Sequence, residues 1–540
     1  MNKNTKVIKQ FEKNKNEEET IIDNKKTKNE EEEKVIRTSI FYIKEKDPLF
    51  KYCDNLTFMA KNLKNAATFH LRQCFIYHDR EDVPEHIPSY LEEMNNYIDE
   101  YNEFTRNNFI KKKIEKLKEL FNQRDKLRQE NASQKELNDI NDKIDKELKK
   151  KFCPQTKITK EYGCLFYGFL DYYFCYCLDR EDNPYKLMKR QTSQQVLRNV
   201  EKDWKSFFKG IKSFSKNPSK FTGKPNIPNY KKKNGRCKVS LTNQQCKFKE
   251  NDYMSLPGTK LRLKINFDHS NLKLKEVRIV PMGTKYKIEL VWEVIKQKEK
   301  EVFPKETCIA IDLGVSNLAT ITNNIGMDPI IINGGPLKSI NQFYNKKKAE
   351  LQSKLPFYKK NDGTMAQLSW SKQLTLLTEK RNLKIANAMH IVSKYIVNYC
   401  KTYRIGTIII GLNSNWKQKV NIDKQNNQNF VSIPFRQLIN KITYKAEEIG
   451  IKVIEREESY TSQASFLDLD DIPTYKKENT VKYRFSGRRV RRGLYVSKNG
   501  ISINADVNGS YNIMRKEFPH LFTIETIKNF SIKAKKINLL

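Results

Sequence analysis

No run of this sequence is both long and apolar enough to span a bilayer. The nearest, 163–178, carries Asp171 and falls short of the roughly 20 residues a spanning helix needs. It reads instead as a buried helix whose tyrosines are placed to line a nucleic-acid channel. The N-terminal stretch is charged and lacks the apolar core of a secretory signal. No membrane partner is expected. The protein is expected to be soluble and cytoplasmic, or nuclear if the host is eukaryotic. Ten cysteines are scattered along the chain, as reduced thiols are inside cells. Cys175 and Cys177 sit in an aromatic run as packing thiols, and Cys237 and Cys246 have no matching second pair. No zinc site is therefore expected. Acidic residues are also in deficit, with 64 Asp and Glu against 102 Lys and Arg, a formal net charge of +38. Such a surplus points to a polyanionic partner, because phosphate contacts dominate nucleic-acid affinity. An AT-rich genome also enriches Lys, but the aromatic residues interleaved with the charge favour nucleic acid.

At 540 residues the chain exceeds one compact domain. Residues 1–34 alternate Lys and Glu blocks and read as a disordered tail. A strand is expected at 35–43, a helix from about Asp54 to Tyr77, and an αα-hairpin over 90–151. In that hairpin Ile110, Ile114, Leu117 and Phe121, then Leu137, Ile140, Ile144 and Leu148, recur at helical spacing, and Ser133 with Glu136 forms a capping box between them. Ser193 is expected to cap a further helix whose Val196, Val200, Trp204 and Phe208 share one face and which ends near Gly210. The following Lys-, Pro- and Tyr-rich loop holds Lys224, Lys231, Lys232 and Lys233. It suits phosphate contact, with a solvated linker as the alternative. Between 236 and 295 the period changes to two, predicting antiparallel strands. With the early strand they make one β module interrupted by a helical insertion.

From Thr307 three strands, a helical stretch over 337–404, a strand, a helix at 434–449, a strand at 452–457 and a last helix from Asp506 follow the order of an RNase H-like fold. Asp312 ends the first of these strands and precedes a glycine turn; Asp506 opens the final helix. Two-metal cleavage of phosphodiesters needs carboxylates from distant elements converging on hard cations. Asp312 and Asp506 on so basic a chain therefore suggest a Mg²⁺-dependent nuclease. His390 reads as a packing residue. Lys380 and Arg381 read either as nucleic-acid contacts or as a solvated face, and Trp416 either as a base-stacking platform or as a core seal.

Several segments carry a resemblance. They are 193–198 through Trp204-Lys-Ser-Phe-Phe, Asp312-Leu-Gly-Val-Ser-Asn-Leu-Ala-Thr, Gly411-Leu-Asn-Ser-Asn-Trp416, Tyr460-Thr-Ser, Gly487-Arg-Arg-Val-Arg-Arg-Gly and Asn504-Ala-Asp-Val-Asn-Gly. In this order they resemble the TnpB family of transposon-encoded RNA-guided nucleases, relatives of type V CRISPR effectors and of the Fanzor proteins. The resemblance implies a multidomain α+β fold. A β-barrel wedge domain (35–50 plus 230–300) would hold an inserted helical recognition lobe (51–229). A RuvC-like nuclease domain (301–540) with a basic insertion (463–503) would follow. It also implies guide RNA and target DNA as partners and two Mg²⁺ ions as cofactor. In most of the family a catalytic glutamate ends the strand corresponding to 407–410, where this chain has Gly411. Some branches carry it just before Tyr-Thr-Ser, where this chain has Glu457 and Glu458. The implied catalytic and metal-binding set is Asp312, Glu458 and Asp506. Glu457 stays open as the second choice, because Val453 and Ile454 are both apolar and alternation does not separate the two. The cysteine pairs of many relatives are absent, and Ala464 and 468–471 occupy the first pair's region. Arg488, Arg489, Arg491 and Arg492 in that insertion suit a nucleic-acid strand. The rival readings are a nuclease-inactive, RNA-guided repressor, which Gly411 favours, and a DNA-joining transposase, for which no tyrosine or histidine pair speaks.

Overall fold

In the computed structural model, residues 34–130, 132–249, 252–269, 272–295, 302–359, 363–412, 432–474, 483–491 and 493–540 are described. The expected tail before Lys34, Trp416 and Arg492 lie outside them. The chain divides into two units, Met1–Lys296 and Gln297–Leu540.

The first unit begins with β1 (Lys34–Ile43), α1 (Leu49–Tyr77), α2 (His86–Gln129), α3 (Gln134–Lys149) and α4 (Tyr167–Tyr172). A π-helical turn (Tyr173–Cys177) and α5 (Arg190–Lys216) follow. Strands β2 (Val239–Thr242), β3 (Phe248–Lys249), β4 (Tyr253–Ser255), β5 (Arg262–Lys264), β6 (Lys273–Pro281) and β7 (Tyr286–Ile295) complete it. The capping box of α3 is present: Ser133 Oγ accepts from the Glu136 N–H and the Glu136 carboxylate from the Ser133 N–H. Val196, Val200, Trp204 and Phe208 are buried along α5. Two expectations fail there. The helix starts at Arg190, and Ser193 is turned inward to donate to the Tyr185 carbonyl at 2.8 Å. The helix also runs past Gly210, since one helical glycine costs only about 1 kcal/mol, which the packing of Phe207 and Phe208 against Phe75 offsets. No closed barrel is seen among the described residues. The described strands form two open sheets, β1-β7-β6-β2 and β3-β4-β5. Strands β3 to β5 are two or three residues long, too short for the continuous staggered register that closure requires.

The second unit contains β8 (Cys308–Leu313), β9 (Asn317–Asn323), β10 (Ile330–Asn333) and α6 (Gly335–Ser353). Next come a hairpin of β11 (Phe357–Lys359) and β12 (Met365–Gln367), α7 (Lys372–Thr402), β13 (Thr407–Gly411), α8 (Phe435–Glu448) and β14 (Lys452–Arg456). The last elements are β15 (Arg488–Arg491), β16 (Leu494–Val496), β17 (Ser502–Asn504), α9 (Ala505–Glu517) and β18 (Lys535–Ile537). Six strands make one mixed sheet in the order β14-β13-β8-β9-β10-β18. Its centre is buried on both sides. Ile309, Ile311, Ile408 and Ile410 share a core with Met389 and Val392 of α7 and Leu438 and Ile442 of α8. Cys308, Ala310 and Ile409 share the other core with Val507, Tyr511 and Met514 of α9. No described helix is long and apolar enough to cross a membrane.

Candidate active site

Successive residues of a strand face opposite sides. Cys308 and Ala310 belong to the α9 core, so Asp312 leaves β8 on the α9 side. Parallel neighbours in register share that side: Ala310 pairs with Ile409, Ile409 with Ile454, and Gly411 with Arg456. Gly411 and Arg456 therefore also face α9, and Arg456 does donate to the Lys516 carbonyl there, at 2.8 Å. Glu458, two residues beyond Arg456, returns to this side. The close approach is direct. A β-carbon built on Gly411 would lie 2.6 Å from Glu458 Oε2 and would also strike the Ile513 side chain. One built on Gly509 of α9 would lie 3.0 Å from Asp312 Oδ2. Glycine at both positions lets the carboxylates occupy the cleft between sheet and helix.

Helix α9 starts at a defined point because Asn504 Oδ1 accepts from the N–H groups of Asp506 (2.9 Å) and Val507 (3.3 Å). Asp506 thus sits in the first turn, where the helix dipole favours a carboxylate. Its Oδ2 accepts from Asn317 Nδ2 at 2.6 Å, and its Oδ1 lies 3.7 Å from Arg489 Nη2.

Burial, then repulsion from Glu458 and Asp506, pushes the Asp312 carboxyl well above the usual range, with Arg489 opposing. The residue still keeps partial solvent contact, as a site that admits ions must. Glu458 is pushed up to about 7 by burial and by Glu457, against Lys516.

Glu457 behaves differently. Burial raises it, but hydrogen bonds from Lys516 and Ser459 hold it below the usual range. Lys516 Nζ donates to Glu457 Oε2 and to the Ser459 carbonyl, both at 2.7 Å, and the Ser459 N–H donates to Glu457 Oε1 at 2.7 Å. Two neighbouring glutamates are thereby sorted, one tied to a lysine and one turned to Asp312.

Lys516 ends a polar stripe that sequence reasoning missed. Asn508 Nδ2 donates to the Ala464 carbonyl at 2.8 Å, and Asn508 Oδ1 accepts from the Phe466 N–H at 2.9 Å. Asn512 Nδ2 donates to the carbonyls of Thr461 and Ala464. Spacing of four puts Asn508, Asn512 and Lys516 on one helix face, where they hold the turn after β14. Asparagines at that spacing, interleaved with Val507, Tyr511, Ile513 and Met514, were the available signal.

Among the described residues, no group of three or more His, Cys, Asp or Glu is gathered to hold a metal ion. The donor chemistry of Asp312, Glu458 and Asp506 nonetheless fits a hard divalent cation, since enclosed carboxylates that repel one another gain most from a shared positive charge. Arg489 now supplies part of that charge.

The sequence-predicted nucleic-acid residues fall in both units. In the first, the backbone before β2 is stitched to α1. Arg72 donates to the Pro228 carbonyl, Asn65 to that of Lys231 and Lys61 to that of Lys233. The side chains of Lys224, Lys231, Lys232 and Lys233 are left exposed. In the second, Arg488, Arg489 and Arg491 lie on the exposed strand β15. Arg381 is structural, bonding Asn341 and the Ser432 carbonyl. His390 is bonded to Lys441 at 2.7 Å.

Comparison with known proteins matches residues 291–417 to a family described as probable transposase (OrfB_IS605). Residues 435–513 match one described as Cas12f1-like, TNB domain. The TnpB-like protein ORF457 of Acidianus two-tailed virus is 25% identical over 366 residues, covering 62% of this chain and 74% of that protein. Among solved structures, a CRISPR-Cas12f ternary complex is similar at 13% identity and a TM-score of 0.28, over 65% of this chain and 75% of the other. A Cas12f1-sgRNA-target DNA complex is similar at 14% and 0.29, over 89% and 100%. Scores this low carry no weight for the fold. The two family matches and the viral relative rest on sequence, and by them the chain is similar to TnpB-like proteins.

Proposed function

We propose that this protein is an RNA-guided DNA endonuclease that hydrolyses phosphodiester bonds with Mg²⁺ at Asp312, Glu458 and Asp506. The observation that carries the reading is the meeting of Glu458 with Gly411 beside Asp312. The carboxylate missing from the end of β13 is supplied from beyond β14 into the same cleft. The similarity to a TnpB-like protein supports a guide RNA and target DNA as partners, and the net charge of +38 suits both. In this reading the six-stranded sheet and its helices form a RuvC-like nuclease domain.

When bound, Mg²⁺ would neutralise the charge gathering on the attacked phosphate and make water a better nucleophile. Asp312 and Asp506 would hold it from strand end and helix start. Glu458 would complete the set and orient the attacking water. Arg489, beside Asp506, faces the phosphate with a fixed positive charge. Lys224, Lys231, Lys232, Lys233, Arg488 and Arg491 contact phosphates, while base pairing with the guide reads sequence.

The test is plasmid cleavage with Mg²⁺ by the purified protein and its co-purifying RNA. Asp312→Ala should abolish cutting and keep guide-directed binding; normal cutting by that variant sinks the assignment. A nuclease-inactive repressor is the second reading, favoured by Gly411 standing at the end of β13 where a carboxylate is expected. Tight target binding without cutting by the wild type would select it.

A further inference from the structure

The β11–β12 hairpin buries almost nothing of itself. Phe357 is 63% exposed, Met365 63% and Trp370, just beyond it, 65%. Pairing of Phe357 with Gln367 and Lys359 with Met365 puts Phe357 and Met365 on one face. Isolated two-stranded hairpins are marginal in water, yet this one is anchored to the end of α6. Gln367 Nε2 donates to the carbonyls of Gln352 and Leu355, and the Leu368 N–H to that of Pro356, all at 2.9 Å. The backbone is fixed while large apolar side chains face water. Single exposed apolar residues are ordinary, but several on one small element mark a binding surface.

The surrounding charge selects the partner. From 335 to 404 the acidic residues of the sequence are Glu350, Asp362 and Glu379. Glu350 is already bridged by Lys347 at 2.7 Å and Lys354 at 3.1 Å. Lys346 and Lys359 are exposed nearby in the chain. A second copy, itself at +38, would bring like charge to this surface. A polynucleotide offers both complements, phosphates for the lysines and flat bases for the rings. Duplex bases are stacked on one another, whereas RNA loops and ends splay theirs out.

We propose that the β11–β12 hairpin is a docking surface for single-stranded RNA, with Phe357 and Trp370 stacking on unpaired bases. The choice of RNA rests on the RNA-guided reading above; the stacking surface does not require cleavage.

The test uses the full chain freed of nucleic acid and an oligouridine of about 20 nucleotides, longer than one such surface occupies. Both residues are exposed, so Phe357→Ala/Trp370→Ala should melt like the wild type. It should bind the RNA about tenfold more weakly with an unchanged salt dependence, because every lysine remains. Unchanged RNA affinity overturns the proposal. So does a loss seen only with oligothymidine DNA, or a wild-type dimer that becomes monomeric in the variant without loss of RNA. Failure of cleavage would leave this affinity difference standing, and its absence would leave cleavage standing, so the two readings fail separately.

Discussion

Gly411 and Glu458 share one space: a β-carbon on the glycine would come within 2.6 Å of the glutamate's Oε2. The glycine ends β13, directly beside the strand that carries Asp312. A residue with a side chain there would either occupy the cleft itself or expel the carboxylate that now does.

Gly411→Ala is therefore expected to displace Glu458 and lower cleavage about 100-fold, the scale of an ångström's misplacement at a reacting centre. Guide-directed binding should be unchanged. Cleavage kinetics beside a binding measurement decide it; a variant that cuts like the wild type would mean Glu458 does not work from this position.

The sorting of the two glutamates makes a second expectation. Glu458→Gln should reduce cutting to background, while Glu457→Gln should retain most of it. Lys516→Met frees Glu457 to compete for the cleft and should cost about 10- to 100-fold, as loss of a supporting residue around metal ligands does. Equal loss in the Glu457 and Glu458 variants would contradict the assignment, and recovery in Lys516→Arg would separate positioning from general destabilisation.

How much of this was legible in the sequence follows from what period and cap can encode. Asp312 and Asp506 stood out because one ends an apolar strand before a glycine turn and the other opens a helix. The facing of Glu458 was not legible. Val453 and Ile454 are both apolar, and only the register of β14 against β13 distinguishes their sides. The barrel came from the resemblance and not from the residues, because two-residue periodicity reports strands but not whether they close, and the described strands form open sheets. Ser193 was misread as a cap because a hydroxyl near a helix start can equally bond inward, here to Tyr185.

The insertion offers a third expectation. Asp470 Oδ2 accepts from the N–H groups of Ser465 (2.8 Å) and Ser486 (3.1 Å), and its Oδ1 from Ser486 Oγ (2.5 Å). Asp468 Oδ2 likewise joins Ser465 Oγ to the Lys498 N–H. These carboxylates tie the segment after β14 to both flanks of the β15–β16 pair that carries the arginines. Asp470→Ala should loosen that tie by about 1.5 kcal/mol, the low end for charged hydrogen bonds because Ser486 is exposed. Faster hydrogen exchange at Ser465 and Ser486 is the readout, and unchanged exchange would show that the tie is held elsewhere.

Acid should weaken the first unit through His70. Its ring is enclosed by Tyr90, Tyr173 and Phe174, with Nδ1 2.7 Å from Tyr90 Oη, and burial pushes its pKa down to about 4. In the unfolded chain the ring titrates near 6.5. Between those values the unfolded state binds the proton and the folded state does not. The contribution is therefore fully present above about pH 6.5 and is lost progressively as pH falls toward 4, by about 3 kcal/mol in all. Below pH 4 both states are protonated and this loss stops. His70→Gln, which keeps a polar partner for Tyr90 but cannot charge, should flatten this limb of the stability curve. The measurement is the denaturation midpoint of wild type and variant from pH 7.5 to 4.5. Parallel curves would show that the acid sensitivity arises from another group.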